Sequence, residues 1–272
     1  MSGAAADTAF AGSIPQIYEQ YLVPLIFEPY AIDLVARLAG FSLKDVLELA
    51  AGTGVVTRRL ALELPAGAAI TATDLNQPML DVAASIGTRR SVNFRQADAQ
   101  QLPFRDATFD AVVCQFGVMF FPDRPRAFAE ARRVLRPGGV FLFNVWDRLE
   151  DNEFAMIATE ALAGVFPDDP PRFMARVPHG YHDSGAIRRD LAAAGFTRDP
   201  DIETIAARSR CASARLAATA YCQGTPVRAE IEARHASGLA AATDAVETAL
   251  ARHFGTGAVD GKIQARVVAV IR

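Results

Sequence analysis

A chain of 272 residues with a net charge of −3 and a pI near 5.8 lacks the broad basic surface needed to grip nucleic acid nonspecifically. Hydrophobic content of 51% and charged content of 22% fit a globular protein and exclude general disorder. Three scattered cysteines, Cys114, Cys211 and Cys222, exclude a disulfide framework and point to a reduced, cytoplasmic protein. The first residues lack the basic and apolar regions of a signal peptide, and no apolar run approaches the roughly 20 residues that cross a bilayer. The four histidines show no tight metal-ligand spacing, so no metal site is expected.

Residues 14–39 read as two amphipathic helices broken near Pro24 and Pro29. An alternation of strands and helices follows. Strands are expected at residues 45–49, 69–73, 92–96, 109–115 and 140–146, and helices at 55–64, 78–86 and 125–135. The last of these helices stops at Arg136-Pro137-Gly138-Gly139, which reads as a stop-and-turn. Beyond Trp146 come helices at 152–166 and 183–194, with a proline-rich connector between them. A strand near 202–206, an alanine-rich helical stretch to about residue 253 and a closing strand at 262–271 complete the chain. The spacing predicts a doubly wound, Rossmann-like α/β fold with a mostly parallel seven-stranded sheet covered on both faces. Residues 1–40 are expected as an N-terminal helical lid, 41–150 as the ligand-binding core, and 151–272 as completion of the sheet with a helical cap at about 211–257.

The chemistry concentrates in the core. Glu48-Leu49-Ala50-Ala51-Gly52-Thr53-Gly54 joins a buried strand to a helix, and its small residues let backbone approach a ligand closely. Asp74 ends the second strand, where a carboxylate accepts hydrogen bonds from ribose hydroxyls. These two features alone fit a dinucleotide as well, as in an NAD-type oxidoreductase. The third small residue of that fingerprint is replaced here by Thr57.

Further motifs narrow the choice. Thr73-Asp74-Leu75-Asn76-Gln77-Pro78-Met79-Leu80, Asp98-Ala99-Gln100-Gln101-Leu102-Pro103-Phe104, Phe109-Asp110-Ala111-Val112-Val113-Cys114-Gln115-Phe116-Gly117 and Arg133-Val134-Leu135-Arg136-Pro137-Gly138-Gly139 follow the glycine loop in order. Together they resemble the class I S-adenosylmethionine-dependent methyltransferases, of the type that includes the ubiquinone and menaquinone C-methyltransferases. One departure is Ala50, where the family's first motif has a glycine. The resemblance implies S-adenosylmethionine as cofactor and S-adenosylhomocysteine as product. It also implies that Glu48 belongs to the cofactor site, that the loop with Ala50, Gly52 and Gly54 meets the amino-acid tail, that Asp74 meets the ribose, and that Leu75 and Met79 sandwich the adenine. Asp98 and the Ala99 N–H then read the ring edge, with Gln115 and Phe116 beside the sulfonium. Tyr18 and Tyr21 lie where related enzymes carry a lid over the cofactor.

Plainer roles compete at several of these positions. Asp74 and Asp98 also suit helix and turn caps, Phe116 and the two tyrosines also suit core packing, and Cys211 and Cys222 suit buried packing better than a reactive thiol. The acceptor implied is a small molecule, apolar or aromatic from the residues of the cap, with a second copy of the chain as a candidate partner. Nucleic acid is disfavoured, because the fourth motif lacks an Asp/Asn-Pro-Pro-Tyr/Phe sequence. No acid–base pair is singled out. Methyl transfer to a nucleophile needs mainly alignment and exclusion of water. A non-catalytic binding module on the same fold is the remaining alternative.

Overall fold

The computed structural model describes Asp7, Thr8, Phe10 and residues 12–272. Helix α1 (Ile14–Ile17) runs without a break into a π-helical segment, Tyr18–Phe27, and on into α2 (Glu28–Ala36). The expected interruptions at Pro24 and Pro29 are therefore corrected. Pro24 lies inside the wide segment, where hydrogen bonds reach back five residues, as Glu28 N–H does to Val23 O. That register relieves the clash a proline ring meets in a regular α-helix. Pro29 occupies the first turn of α2, where a proline is well tolerated.

The core then alternates as β1 (Asp45–Glu48), α3 (Val55–Glu63), β2 (Ala69–Asp74), α4 (Gln77–Ile86), β3 (Asn93–Gln96), β4 (Phe109–Gln115), α5 (Arg124–Val134) and β5 (Leu135–Trp146). There follow α6 (Glu153–Val165), α7 (Phe173–Arg176), α8 (Ser184–Ala193), β6 (Asp201–Cys211), α9 (Ala214–Gln223), α10 (Val227–Arg234), α11 (Leu239–Phe254) and β7 (Val259–Ile271). The sheet has seven strands in the order β3-β2-β1-β4-β5-β7-β6. Neighbours from β3 to β5 are parallel, with Val46 opposite Ile70 and Ala111, and Val113 opposite Leu142. Strand β7 runs against β5: Gly138 N–H donates to Arg272 O, while Asp147 N–H donates to Gln264 O. Arg136-Pro137-Gly138-Gly139 is thus strand rather than a free turn, because the end of β7 supplies backbone partners that sequence could not show.

The residues form two compact units. One comprises Pro29–Val145, Tyr181–Ile205 and Ala265–Arg272. One face of its sheet buries Val46, Ile70, Val113 and Leu142 against Leu34 of α2, Leu38 just beyond it, and Val56 and Leu60 of α3. The other face packs Phe141 edge-on and Phe143 tilted against Phe128 of α5, with ring centroids 5.5 and 5.3 Å away. The alternation of β5 therefore serves both faces, as expected where helices cover a parallel sheet on each side.

The other unit comprises the described residues up to Glu28 with Trp146–Gly180 and Ala206–Gln264. In it α9 packs on α11 and on the π-helical segment, and α11 packs on α6. A chain of rings, Tyr18 on Phe27 at 5.0 Å, Phe27 by Trp146 at 6.1 Å and Trp146 by His179 at 6.1 Å, runs through this unit. Among the described residues, no helix is long and apolar enough to cross a membrane.

Candidate cofactor site

The loop after β1 is built on reversed backbone angles. Ala50, Gly52 and Gly54 have φ of 50°, 56° and 86°, and Ala51 N–H donates to Thr73 O at 2.9 Å. These angles curl the chain so that the Gly52 N–H points to β2, where Asp74 Oδ2 accepts it at 2.8 Å. Asp74 Oδ1 accepts the Asn76 N–H, also at 2.8 Å. Oδ1 also accepts the Asn76 side-chain amide at 3.4 Å, while Oδ2 keeps a further lone pair that a ribose hydroxyl could use. Burial pushes the Asp74 carboxyl above its ordinary range, opposed by these backbone donors.

Glu48 closes the floor of the loop. It is buried and accepts the Thr57 hydroxyl at 2.5 Å, while its own carbonyl accepts the Thr73 hydroxyl at 2.9 Å. Burial pushes its pKa up to about 8, against the lowering effect of the Thr57 bond. Gly54 starts α3 at close quarters with α4, since a Cβ there would lie 3.1 Å from Ala83 Cβ. The Thr53 hydroxyl between the two glycines is buried, with no hydrogen-bond partner among the described residues.

Ala50, the departure from the family pattern, has a physical counterpart. A left-handed backbone costs a residue with a Cβ roughly 1–2 kcal/mol. Room for its methyl comes from Gly117, where a Cβ would sit 2.5 Å from Ala50 Cβ and 2.7 Å from Cys114 Sγ. Phe116 also has a φ of 50°. Its buried ring meets Tyr30 edge-on, with centroids 5.2 Å apart.

Asp98 is exposed and caps its own turn, accepting Gln100 N–H at 2.8 Å, with the half-buried Ala99 beside it. Met79 is buried whereas Leu75 is 50% exposed. Gln115 ends β4. The structure thus places Glu48 to Gly54, Asp74, Leu75, Met79, Asp98, Ala99, Gln115 and Phe116 in one unit, at or near the carboxyl ends of β1 to β4. That is where open α/β sheets bind ligands. Tyr18 and Tyr21 belong to the other unit, where Tyr18 is part of the ring chain. His179 is buried there and its Nδ1 donates to Asp147 O at 2.8 Å.

Sequence reasoning missed Thr57 as the partner of Glu48, and it missed Gly117 and Asn144. Asn144 Oδ1 accepts the Phe116 N–H at 2.8 Å. A lone amide inside the apolar run 140–146 was the available signal.

The donor set fits a cofactor with an amino-acid tail, a ribose and an adenine. A curled loop of small residues lets backbone come close to a ligand, a buried hydroxyl lacks a partner among the described residues, and an acid bonded to the loop stands one strand away. This is the site of a ligand-binding doubly wound α/β protein. Residues 47–143 match the methyltransferase domain family. The demethylmenaquinone methyltransferase of Thermus thermophilus is 41% identical over 178 residues, which cover 61% of this chain and 79% of that relative. A malonyl-[acyl-carrier protein] O-methyltransferase of Geobacter sulfurreducens is 33% identical over 195 residues, covering 71% and 67%. Among solved structures, the YcgJ protein of Bacillus subtilis shares the fold at a TM-score of 0.58 and 18% identity, covering 90% of this chain and 98% of that one. The chain belongs to the S-adenosylmethionine-dependent methyltransferases of class I. It is an enzyme that transfers a methyl group from S-adenosylmethionine, and nothing supports an NAD-type oxidoreductase.

Proposed function

We propose that this methyltransferase holds its cofactor across the carboxyl ends of β3, β2, β1 and β4 and methylates a small apolar or aromatic acceptor. The bond from the Gly52 N–H to Asp74 carries the cofactor placement, because it sets the tail-binding loop and the ribose acid in one fixed geometry. In this reading Asp74 takes the ribose diol, Leu75 and Met79 flank the adenine, and Asp98 with the Ala99 N–H reads its edge. The loop from Ala50 to Gly54 takes the tail, and Gln115 and Phe116 lie beside the sulfonium. The cofactor brings an activated methyl group. The residues around it bind, orient and exclude water, and the face of Phe116 adds roughly 0.5–2 kcal/mol of attraction for the positive sulfur.

The acceptor class is supported by likeness to quinone methyltransferases and by the aromatic content of the residues beyond Trp146. Three unpaired cysteines support a reducing compartment, the cytoplasm, as the setting. A thermal-shift assay with S-adenosylhomocysteine and NAD added separately tests this reading. Stabilisation by the first is expected, and stabilisation by NAD alone would sink the cofactor assignment. A labelled-methyl screen over aromatic and aliphatic acceptors then tests the acceptor class.

A further inference from the structure

Asn144 lies near the carboxyl end of β5, which neighbours β4 on the side away from β1. The residues assigned to the cofactor follow the spatial order β3, β2, β1, β4, from Asp98 at the adenine end to Phe116 at the sulfonium end. The next strand is β5. A group at its carboxyl end therefore lies past the sulfonium, on the side from which an acceptor must approach for in-line displacement. Asn144 pairs in register with Gln115 and shares its face of the sheet.

Its hydrogen bonding is half complete. Oδ1 accepts the Phe116 N–H at 2.8 Å, which fixes the orientation of the amide. Nδ2, at the other end, is buried and has no partner among the described residues. Next to it Phe116 holds a left-handed backbone. A buried donor without an acceptor beside a strained aromatic residue is disfavoured by stability alone, and such pairs gather at functional sites.

We propose that Asn144 selects an oxygen-bearing methyl acceptor. Its Nδ2 donates a hydrogen bond to a hydroxyl, phenolate or enolate oxygen that takes the methyl or is conjugated to the carbon that takes it. This rests on the methyltransferase site above and names the acceptor's chemistry. During transfer a lone or π pair of the acceptor forms the bond to the methyl carbon. The sulfur–carbon bond breaks with its pair left on sulfur, and any proton of the acceptor leaves to water. Asn144 exchanges no proton and stabilises charge on the oxygen. An amine acceptor would set N–H against N–H and is rejected.

The test uses tritiated-methyl transfer to naphthohydroquinone, catechol and naphthol against ethanolamine, histamine and thiophenol. The wild type is expected to methylate within the phenolic set alone. Asn144→Asp keeps the acceptor for the Phe116 N–H but loses the donor. It should bind S-adenosylhomocysteine within about threefold of wild type yet lose about a hundredfold in kcat/KM at alkaline pH. Activity should return as the pH falls and the introduced acid carries a proton to donate, an ionisation absent from the wild type. Should Asn144→Asp fail to fold, Asn144→Leu, close in size and without a donor, should show the same loss without recovery at low pH. Methylation of only amines or thiols, methylation of nothing in the panel, or an unimpaired donor-less variant overturns the proposal. Failure of the wild type to bind S-adenosylhomocysteine would instead bring down the cofactor assignment.

Discussion

Ala50 and Gly117 are a coupled pair: one adds a methyl at a strained backbone, and the other removes the side chain that methyl would strike. Ala50→Gly should stabilise the fold by about 1 kcal/mol in urea unfolding, since glycine adopts the left-handed region freely. Gly117→Ala should cost about 1–3 kcal/mol by overpacking. Its cost should be smaller in the Ala50→Gly background, though the contact with Cys114 remains. Strict additivity of the two changes would show that the methyl and Gly117 are not coupled.

Glu48 has a different consequence. Its ordinary pKa of 4.5 is pushed up to about 8 in the folded chain. Between those values the unfolded chain has released the proton that the folded chain retains, so rising pH favours unfolding. Stability should fall from about pH 5 to pH 8, by at most about 1.4 kcal/mol per unit. The raised Asp74 acts in the same direction. Glu48→Gln removes this group's contribution and should flatten the slope measured by urea melts across that range. An unchanged slope would mean that Glu48 is ionised in the fold.

At the scale of elements, α5 holds the loop that carries Asp98 and Ala99. Arg133 donates to Glu130, to Asp106 and to the carbonyls of Leu102 and Phe104 at 2.7–3.0 Å. Glu130 in turn accepts the Leu102 N–H at 2.7 Å, and the Arg133 guanidinium holds its carboxyl below the ordinary range. Arg133→Met keeps most of the stem packing and removes the clamp. Calorimetry should then show affinity for S-adenosylhomocysteine weakened on the order of threefold to tenfold. Full affinity in the variant would show that the loop is held by other means.

Elements whose partners lie within the local pattern were readable from the residues, and elements made by distant partners were not. Strand β4 runs Phe109–Gln115 as its apolar core predicts. Strand β6 extends to Cys211, beyond the expected 202–206, because at the sheet edge its alternation carries exposed Arg208 and Arg210, which pair with Asp260 of β7. The start of β5 hid behind Pro137 and two glycines, and Pro24 disguised a continuous helical backbone. The site divides the same way. Gly52, Gly54 and Asp74 announce themselves by type and spacing. Thr57, Gly117 and Asn144 act through contacts that only folding brings together.

For the whole molecule, three of the five boundaries between the two units fall inside strands. Residues 145 and 146 share β5, 205 and 206 share β6, and 264 and 265 share β7. A strand cannot lose its ladder in one half without fraying the other, so the units should unfold in one transition. Trp146, the single tryptophan, lies in one unit, whereas the loop, Asp74 and Asp98 lie in the other. Tryptophan fluorescence therefore reports on one unit, whereas far-ultraviolet circular dichroism reports on the backbone of both. At a hundredfold excess over its Kd, S-adenosylhomocysteine adds about 2.7 kcal/mol, or roughly 5–10 °C in Tm for a chain of this size. Both probes should show the same midpoint without ligand and move together with it. A circular-dichroism midpoint that rises while the Trp146 signal stays in place would mean that ligand energy stops at the unit boundary. The strand continuity through β5, β6 and β7 would then carry no cooperativity.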